Sequence, residues 1–254
     1  MGMTMTEKIL ARAAGKGSVS PGENVWAKVD VFMTHDVCGP PTFGIFKDKF
    51  GEDGEVFDRR RVVVMPDHYA YSLDDNARRN LVTLRDFCAE KKLPYFYDFA
   101  TDKYVGVCHA ALPEEGHVRP GELLIGTDSH TCMAGAFNQV ATGVGNTDGA
   151  FVLGSGMLWL KVPPTMRFVF DNEAPDYLMA KDLMLHIIGD IGVDGATYRA
   201  MEFAGPGIMA LSMYERTVLP NMAIEAGGKN GIIAADEKTD EFVRDRTQKA
   251  GTPS

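Results

Sequence analysis

Apolar and polar positions recur along this chain with two periods, and the switches between them outline the fold. Val25 to Met33 alternates, with Val29, Val31 and Met33 on one side, which predicts a half-buried strand running out at Thr34-His35-Asp36. Arg61-Val-Val-Val-Met65 is a β-branched run stopped by Pro66, the composition of a strand covered on both faces. From Asn76 to Lys92 the period lengthens: Leu81, Leu84, Phe87 and Cys88 share a stripe that Arg78, Arg79, Glu90 and Lys91 avoid, which predicts an amphipathic helix. The opening stretch MTEKILARAAGK reads as a short helix with Thr6 as N-cap and Gly15 as its stop. Pro94 to Phe99, Leu123 to Gly126 and Thr165 to Phe170 read as further strands. Ala180 to Gly189, apolar nearly all round, reads as a buried helix. Between Ala134 and Trp159 the glycines 135, 143, 145, 149, 154 and 156 predict helices packed closely on a sheet. Strands alternating with helices give an α/β layered architecture. Past Asp236 the chain turns polar, which predicts a frayed tail, or the start of a further segment, ending in Gly251-Thr-Pro-Ser254.

Composition narrows the function classes. At 254 residues the chain fits one large or two modest domains, and 45% hydrophobic residues supply a real core. Its 26 basic and 35 acidic residues give a net charge of −9, which argues against a nucleic-acid partner because phosphate contacts need clustered Lys and Arg. No apolar run reaches the ~20 residues of a membrane span. Cys38, Cys88, Cys108 and Cys132 lie far apart with no C-x-x-C pair, which reads as reduced thiols in a cytoplasmic protein.

Four of the six histidines, His35, His68, His109 and His130, fall just past a predicted strand or in a turn. In an open α/β sheet the crevice beyond the strand carboxyl ends is where ligands bind. Three of them sit beside an acid, in His35-Asp36, Asp67-His68 and Asp128-Ser129-His130. A carboxylate next to an imidazole orients the ring and favours its charged form, the requirement for a proton donor near neutral pH. Ser129 with His130 also raises a hydrolase nucleophile, but the Gly-x-Ser-x-Gly elbow is missing and neighbouring side chains seldom face one another. Asn221 and Glu225, four apart, share a face if the segment is helical. A mononuclear metal hydrolase using His35, His68, His109 and His130 is a further reading, without any H-x-x-x-H spacing to support it.

Six segments together resemble the aconitase superfamily, on the branch of 3-isopropylmalate dehydratase large subunits and their homoaconitase-like relatives. They are Lys28-Val-Asp-Val-Phe-Met-Thr-His-Asp36, Met65-Pro-Asp-His68, Gly106-Val-Cys-His109 with Leu112-Pro-Glu-Glu-Gly116, Gly126-Thr-Asp-Ser-His-Thr131, Gly192-Val-Asp-Gly-Ala-Thr197 and Asn221-Met-Ala-Ile-Glu-Ala-Gly227. They run in family order over most of the chain. The resemblance implies aconitase-type α/β/α layers with a mixed sheet flanked by helices, organised as two closely packed subdomains within residues 1–254. It also implies a hydro-lyase of amino-acid (leucine) biosynthesis that dehydrates a hydroxy-dicarboxylate and rehydrates the alkene.

Carried over by motif, Asp67 and His68 are the acid pair, and His109 lies in the region of the reacting water. Asp128, Ser129 and His130 surround substrate and water. Glu225 partners His130, and Asn221 lies near the cofactor. The family cofactor is a 4Fe–4S cluster held by three cysteines, in Gly-Ser-Cys and C-x-x-C strings that this chain lacks. No residue here is therefore assigned as a metal ligand, and no cluster is expected on this chain alone. The cluster-bearing domain and a small, swivelling-domain subunit are the implied partners, and the isolated chain is expected to be inactive and to self-associate. A non-catalytic binding module that keeps the fold is the alternative.

Overall fold

The structure, a computed structural model, describes residues 2–250, with side chains to residue 247; the polar ending at 251–254 lies outside the described residues. Its strands are β1 (Asn24–Lys28), β2 (Val31–Thr34), β3 (Val62–Val64), β4 (Tyr95–Phe96), β5 (Leu123–Gly126), β6 (Val140–Gly143), β7 (Met157–Lys161), β8 (Thr165–Val169), β9 (Ala200–Ala204) and β10 (Asn230–Ile233). Its helices are α1 (Met5–Ala13), α2 (Gly39–Phe50), α3 (Asp75–Glu90), α4 (Cys108–Glu114), α5 (Asn146–Ser155), α6 (Ala180–Ile191), α7 (Pro206–Ala210), α8 (Met213–Asn221) and α9 (Glu237–Ala250).

The strands form a five-stranded sheet of order β4-β3-β2-β5-β6, a three-stranded sheet of order β10-β9-β8 and a β1–β7 ribbon. Both larger sheets are wholly parallel; antiparallel pairing is confined to the ribbon. Parallel strands need crossovers and bury both faces, so the central strands are apolar throughout: Val62, Val63, Val64, Leu123, Leu124 and Ile125 are at most 1% exposed. One apolar cluster covers each face of the large sheet, and a third, around Met184, Phe203 and Leu219, fills the smaller sheet's side.

Several sequence expectations change. The first helix is capped by Thr4, whose Oγ1 accepts the Glu7 N–H in a capping box, and Thr6 is the second helical residue, fully buried. The single strand expected over Val25 to Met33 is two, belonging to different sheets. The break falls at Val29-Asp30, where the Asp30 N–H turns to the Leu123 carbonyl. The glycine-rich stretch holds two strands, β6 and β7, around one helix; its glycines serve close backbone approach, as at Gly135, where a Cβ would overlap the Gly231 carbonyl oxygen. Helix α6 is buried on one side only, through Ala180, Met184 and Ile187, and leaves Leu185 half exposed. The segment after Asp236 is helix α9, docked through Phe242 on Phe137 and Tyr214. Among the described residues no helix is long and apolar enough to cross a membrane.

Candidate active site

The chain runs outward from β2 through β3 to β4, then resumes on the other side of β2 with β5 and β6. Strand order therefore reverses between β2 and β5, and a crevice opens at the carboxyl ends of that pair. Thr34, the last residue of β2, and Thr127, the first past β5, share a buried 2.7 Å hydroxyl hydrogen bond that ties the two ends together. Beyond it, His35-Asp36 leave β2, Asp67-His68 follow β3, and Asp128-Ser129-His130 leave β5. His109 departs from expectation: it lies in the first turn of α4, brought to the same crevice by a long connection from β4.

Asp36 is fully buried and organises the neighbouring loop. Its carboxylate accepts the backbone N–H groups of Asp67 (3.2 Å), His68 (3.1 Å) and Tyr69 (2.6 Å), and its carbonyl accepts from Asn80 Nδ2 (3.1 Å). Three N–H dipoles stand in for the water this charge gives up. The loop so fixed carries the acid pair. Asp67 Oδ1 lies 2.6 Å from His68 Nδ1, while its Oδ2 accepts the Cys108 N–H (2.7 Å) at the start of α4. Both oxygens of Asp67 are thus committed, and the imidazole is held by one nitrogen.

Four histidines surround one carboxylate, Asp128. His68 Nε2 and His35 Nε2 lie 3.7 and 3.6 Å from Oδ2. Oδ1 takes His109 Nε2 and the His130 backbone N–H, each at 2.8 Å. Burial alone would raise the Asp128 pKa; the His109 hydrogen bond and charge, the His130 N–H and the His35 charge overcome it and hold the carboxyl well below the usual range. His35 stacks on His68 with ring centroids 4.2 Å apart and planes 17° apart. Because His35 Nδ1 accepts the Val37 N–H (3.2 Å), the proton of the neutral ring sits on Nε2, facing Asp128. Burial first, and then the charge of His68, lower the His35 pKa against the pull of Asp128, Asp67 and Asp36.

His130 is held from both sides. Nε2 lies 2.9 Å from Glu225 Oε1, and Nδ1 lies 3.2 Å from Ser129 Oγ. The neighbours Ser129 and His130 therefore do meet, contrary to expectation, because they open a 3₁₀ turn (Ser129–Phe137) capped by Asp128. Glu225 arrives from the other sheet's side, in a 3₁₀ turn (Met222–Ala226). Asn221 ends α8, so the two do not share one continuous helix; its Oδ1 is buried without a partner. The Asp128 loop rests directly on β6: a Cβ at Gly143 would lie 2.3 Å from the Asp128 carbonyl oxygen and 2.9 Å from Ser129 Cα.

Sequence reasoning missed Asp36 as the loop organiser and the Thr34–Thr127 tie. The signal for the first was an acid placed two residues past a strand end, where the chain is still buried. All ion pairs of Asp36, Asp67, Asp128 and Glu225 are with histidines, and among the described residues no Lys or Arg reaches these carboxylates.

The donors fit metals poorly. His109 lies on the other oxygen of Asp128 and His130 on Glu225, and neither joins the group gathered around His35 and His68, so the four-histidine metal site does not form. His35, Asp36, Asp67 and His68 do converge within 4.8 Å, but both carboxylates are already filled by backbone N–H groups and His68. Cys88, Cys108 and Cys132 are buried, and burial raises all three thiols, that of Cys132 to about 12. Among the described residues no three cysteines gather. A 4Fe–4S cluster needs converging thiolates, and these thiols do not fit it.

The sequence has relatives among known proteins. The chain matches the Aconitase family (aconitate hydratase) over residues 7–253. It is 59% identical over 253 residues to the chloroplastic 3-isopropylmalate dehydratase large subunit of Arabidopsis thaliana, covering 97% of this chain and 50% of that protein. It is 49% identical to the probable 3-isopropylmalate dehydratase large subunit of Methanothermobacter thermautotrophicus (98% of this chain, 58% of the relative). For the Aquifex aeolicus 3-isopropylmalate dehydratase large subunit the identity is 47%, with 98% and 56% covered. The chain thus spans half to three fifths of the length of these relatives, and on this footing it belongs to the aconitase family.

Proposed function

We propose that this chain supplies the acid–base part of a hydro-lyase of the 3-isopropylmalate dehydratase type, acting on a hydroxy-dicarboxylate. One observation carries the reading: the Asp67–His68 pair, anchored at Nδ1, with Nε2 turned toward Asp128 across the crevice. Hydroxide leaves poorly at neutral pH and must be protonated as the C–O bond breaks. His68 Nε2 gives that proton, so the group departs as water, and the electron pair of the adjacent C–H bond forms the alkene. The proton from that carbon goes to a base outside this chain. His109 and Asp128 orient the departing water, and His130, held by Glu225, with Ser129 beside it, returns it on the opposite course.

A dicarboxylate needs cationic partners, yet the acids here pair only with histidines. Substrate-binding arginines, the 4Fe–4S cluster and the small subunit are therefore assigned to the rest of the assembly. When bound there, the cluster would supply a Lewis acid for the substrate hydroxyl. Alone, the chain is expected to be inactive and to associate through exposed apolar side chains such as Tyr71, Leu73, Val107 and Met179.

The test is turnover of isopropylmalate to its conjugated alkene, followed by absorbance, after assembly with the cluster-bearing portion and the small subunit. His68→Asn is expected to lower kcat by ~10²–10⁴-fold with a much smaller effect on KM, because the proton moves mainly as the bond breaks. An unchanged kcat overturns the assignment and favours a non-catalytic binding module.

A further inference from the structure

Away from the histidine crevice, a cavity of about 450 Å³ opens where the edge strand β6, the β1–β7 ribbon and the start of β10 meet. That volume suits a small molecule, and seams between packed units are where such sites concentrate. Leu10, Val140, Leu158 and Leu160 give it an apolar wall. Two cations stand over one aromatic ring: Lys161 Nζ and Lys229 Nζ lie 5.9 and 5.8 Å from the Tyr198 centroid. One carboxylate, Asp148, lines the same cavity and acts on Lys229 through its charge.

Tyr198 itself is held at φ 56°, a left-handed conformation that costs a bulky residue about 1 kcal/mol or more. Its N–H on the Gly227 carbonyl (3.1 Å) and its hydroxyl on the Lys161 carbonyl (3.3 Å) fix it there. The same wall includes Asn230, only 1% exposed, whose Nδ2 donates to Thr6 Oγ1 while Oδ1 has no partner.

We propose that this cavity binds a short aliphatic carboxylate, its carboxylate on Lys161 and Lys229 and its chain on the apolar wall. Burial lowers the Lys229 pKa, with Asp148 opposing, so an arriving carboxylate restores charge stabilisation that burial takes away. The site is separate from the histidine crevice but adjoins it. Thr142, Val144, Asp148 and Lys229 also line a second cavity, of about 330 Å³, that reaches Ser129.

Trp159 lines the cavity and is one of only two tryptophans, the other being its cross-strand partner Trp26. In a Trp26→Phe chain, titration with 2-hydroxy-4-methylpentanoate is expected to change Trp159 emission saturably, with Kd on the order of 1 mM. The uncharged isostere 4-methylpentane-1,2-diol is expected to bind at least ~10-fold more weakly, the loss of a charge-assisted contact. Lys161→Gln and Lys229→Gln are each expected to weaken binding ~5-fold or more, Lys229→Arg to retain most of it, and His130→Asn to leave it intact. Equal binding of acid and diol, indifference to both Lys→Gln changes, or loss of binding with His130→Asn overturns the proposal. A Gln variant that loses its near-UV circular dichroism is replaced in this comparison by the Arg variant set against Tyr198→Leu, for which weakened binding is expected and unchanged binding overturns the site.

Discussion

Asp36→Asn changes one oxygen into an NH₂ and so isolates what the buried carboxylate does. In the native chain three backbone N–H groups converge on it, two on Oδ1 and the 2.6 Å Tyr69 contact on Oδ2. Asparagine can keep the first two through its single carbonyl oxygen. Its Nδ2 then faces the Tyr69 N–H, donor against donor, at a fully buried position. One buried donor left unsatisfied costs about 1–3 kcal/mol, and the two surviving bonds lose their charge assistance. Together these give about 3 kcal/mol of destabilisation. For a chain of this size about 1 kcal/mol lowers Tm by ~2–4 °C, so a fall of ~6–12 °C is expected in thermal melts followed by far-UV circular dichroism. Amide exchange at residues 67–69 is expected to speed up more than elsewhere, since these are the groups released. A Tm shift under ~2 °C, or exchange that rises evenly over the chain, refutes the account of Asp36 as the organiser of the loop.

Further predictions rest on independent features. Arg216 is fully buried, with its guanidinium forked onto Asp236 (2.8 and 2.7 Å); Asp236→Asn is expected to cost about 3–5 kcal/mol in urea unfolding. Arg216 holds the Asp236 pKa down to about 2 against 3.8, so this contribution is complete above about pH 4 and lost as pH falls from 4 through 2, a slope the Asn variant should lack in acid titration. Burial lowers the His117 pKa to about 4, and its Nε2 pairs with Tyr97 Oη at 2.7 Å; its ring proton signals should not titrate between pH 5 and 8, with stability lost only as pH drops from about 6.5 toward 4. Gly143→Ala pushes a methyl into the Asp128 backbone and is expected to cost about 1–3 kcal/mol by calorimetry, with loss of turnover in the assembled enzyme. Anaerobic reconstitution of this chain alone should leave iron and sulfide far below one cluster per chain; stoichiometric cluster would refute the reading of its cysteines.

What the sequence disclosed was set by local physics. Val62–Val64 and Leu123–Ile125 announced themselves because a strand buried on both faces cannot afford polar residues, and the Leu81–Cys88 stripe because α3 buries one side. β6 and β7 were hidden by glycines that serve tertiary contacts, since no periodicity encodes that Gly135 must clear a carbonyl from a strand nearly a hundred residues later. The Ala180 helix misled for the opposite reason: apolar residues all round it mark surface left bare as well as surface buried. In the crevice, the adjacency of acid and histidine in Asp67-His68 and Asp128-Ser129-His130 was enough to single them out. That both pairs, with His35 and His109, converge on the two oxygens of Asp128 depends on the strand reversal between β2 and β5, which is a property of topology.

Carboxylates whose ion pairs are only with histidines also set the terms of encounter. A chain of net charge −9, with Asp36, Asp67, Asp128 and Glu225 in its crevice, presents a field that repels the dianion proposed as substrate. Approach is then slowest in dilute buffer. Added salt, which shortens the screening length from about 30 Å at 0.01 M to about 8 Å at 0.15 M, should speed association with this chain. Whatever segment contributes cations to the completed site reverses that sign, so the ionic-strength dependence of the on-rate measures how far the crevice has been completed.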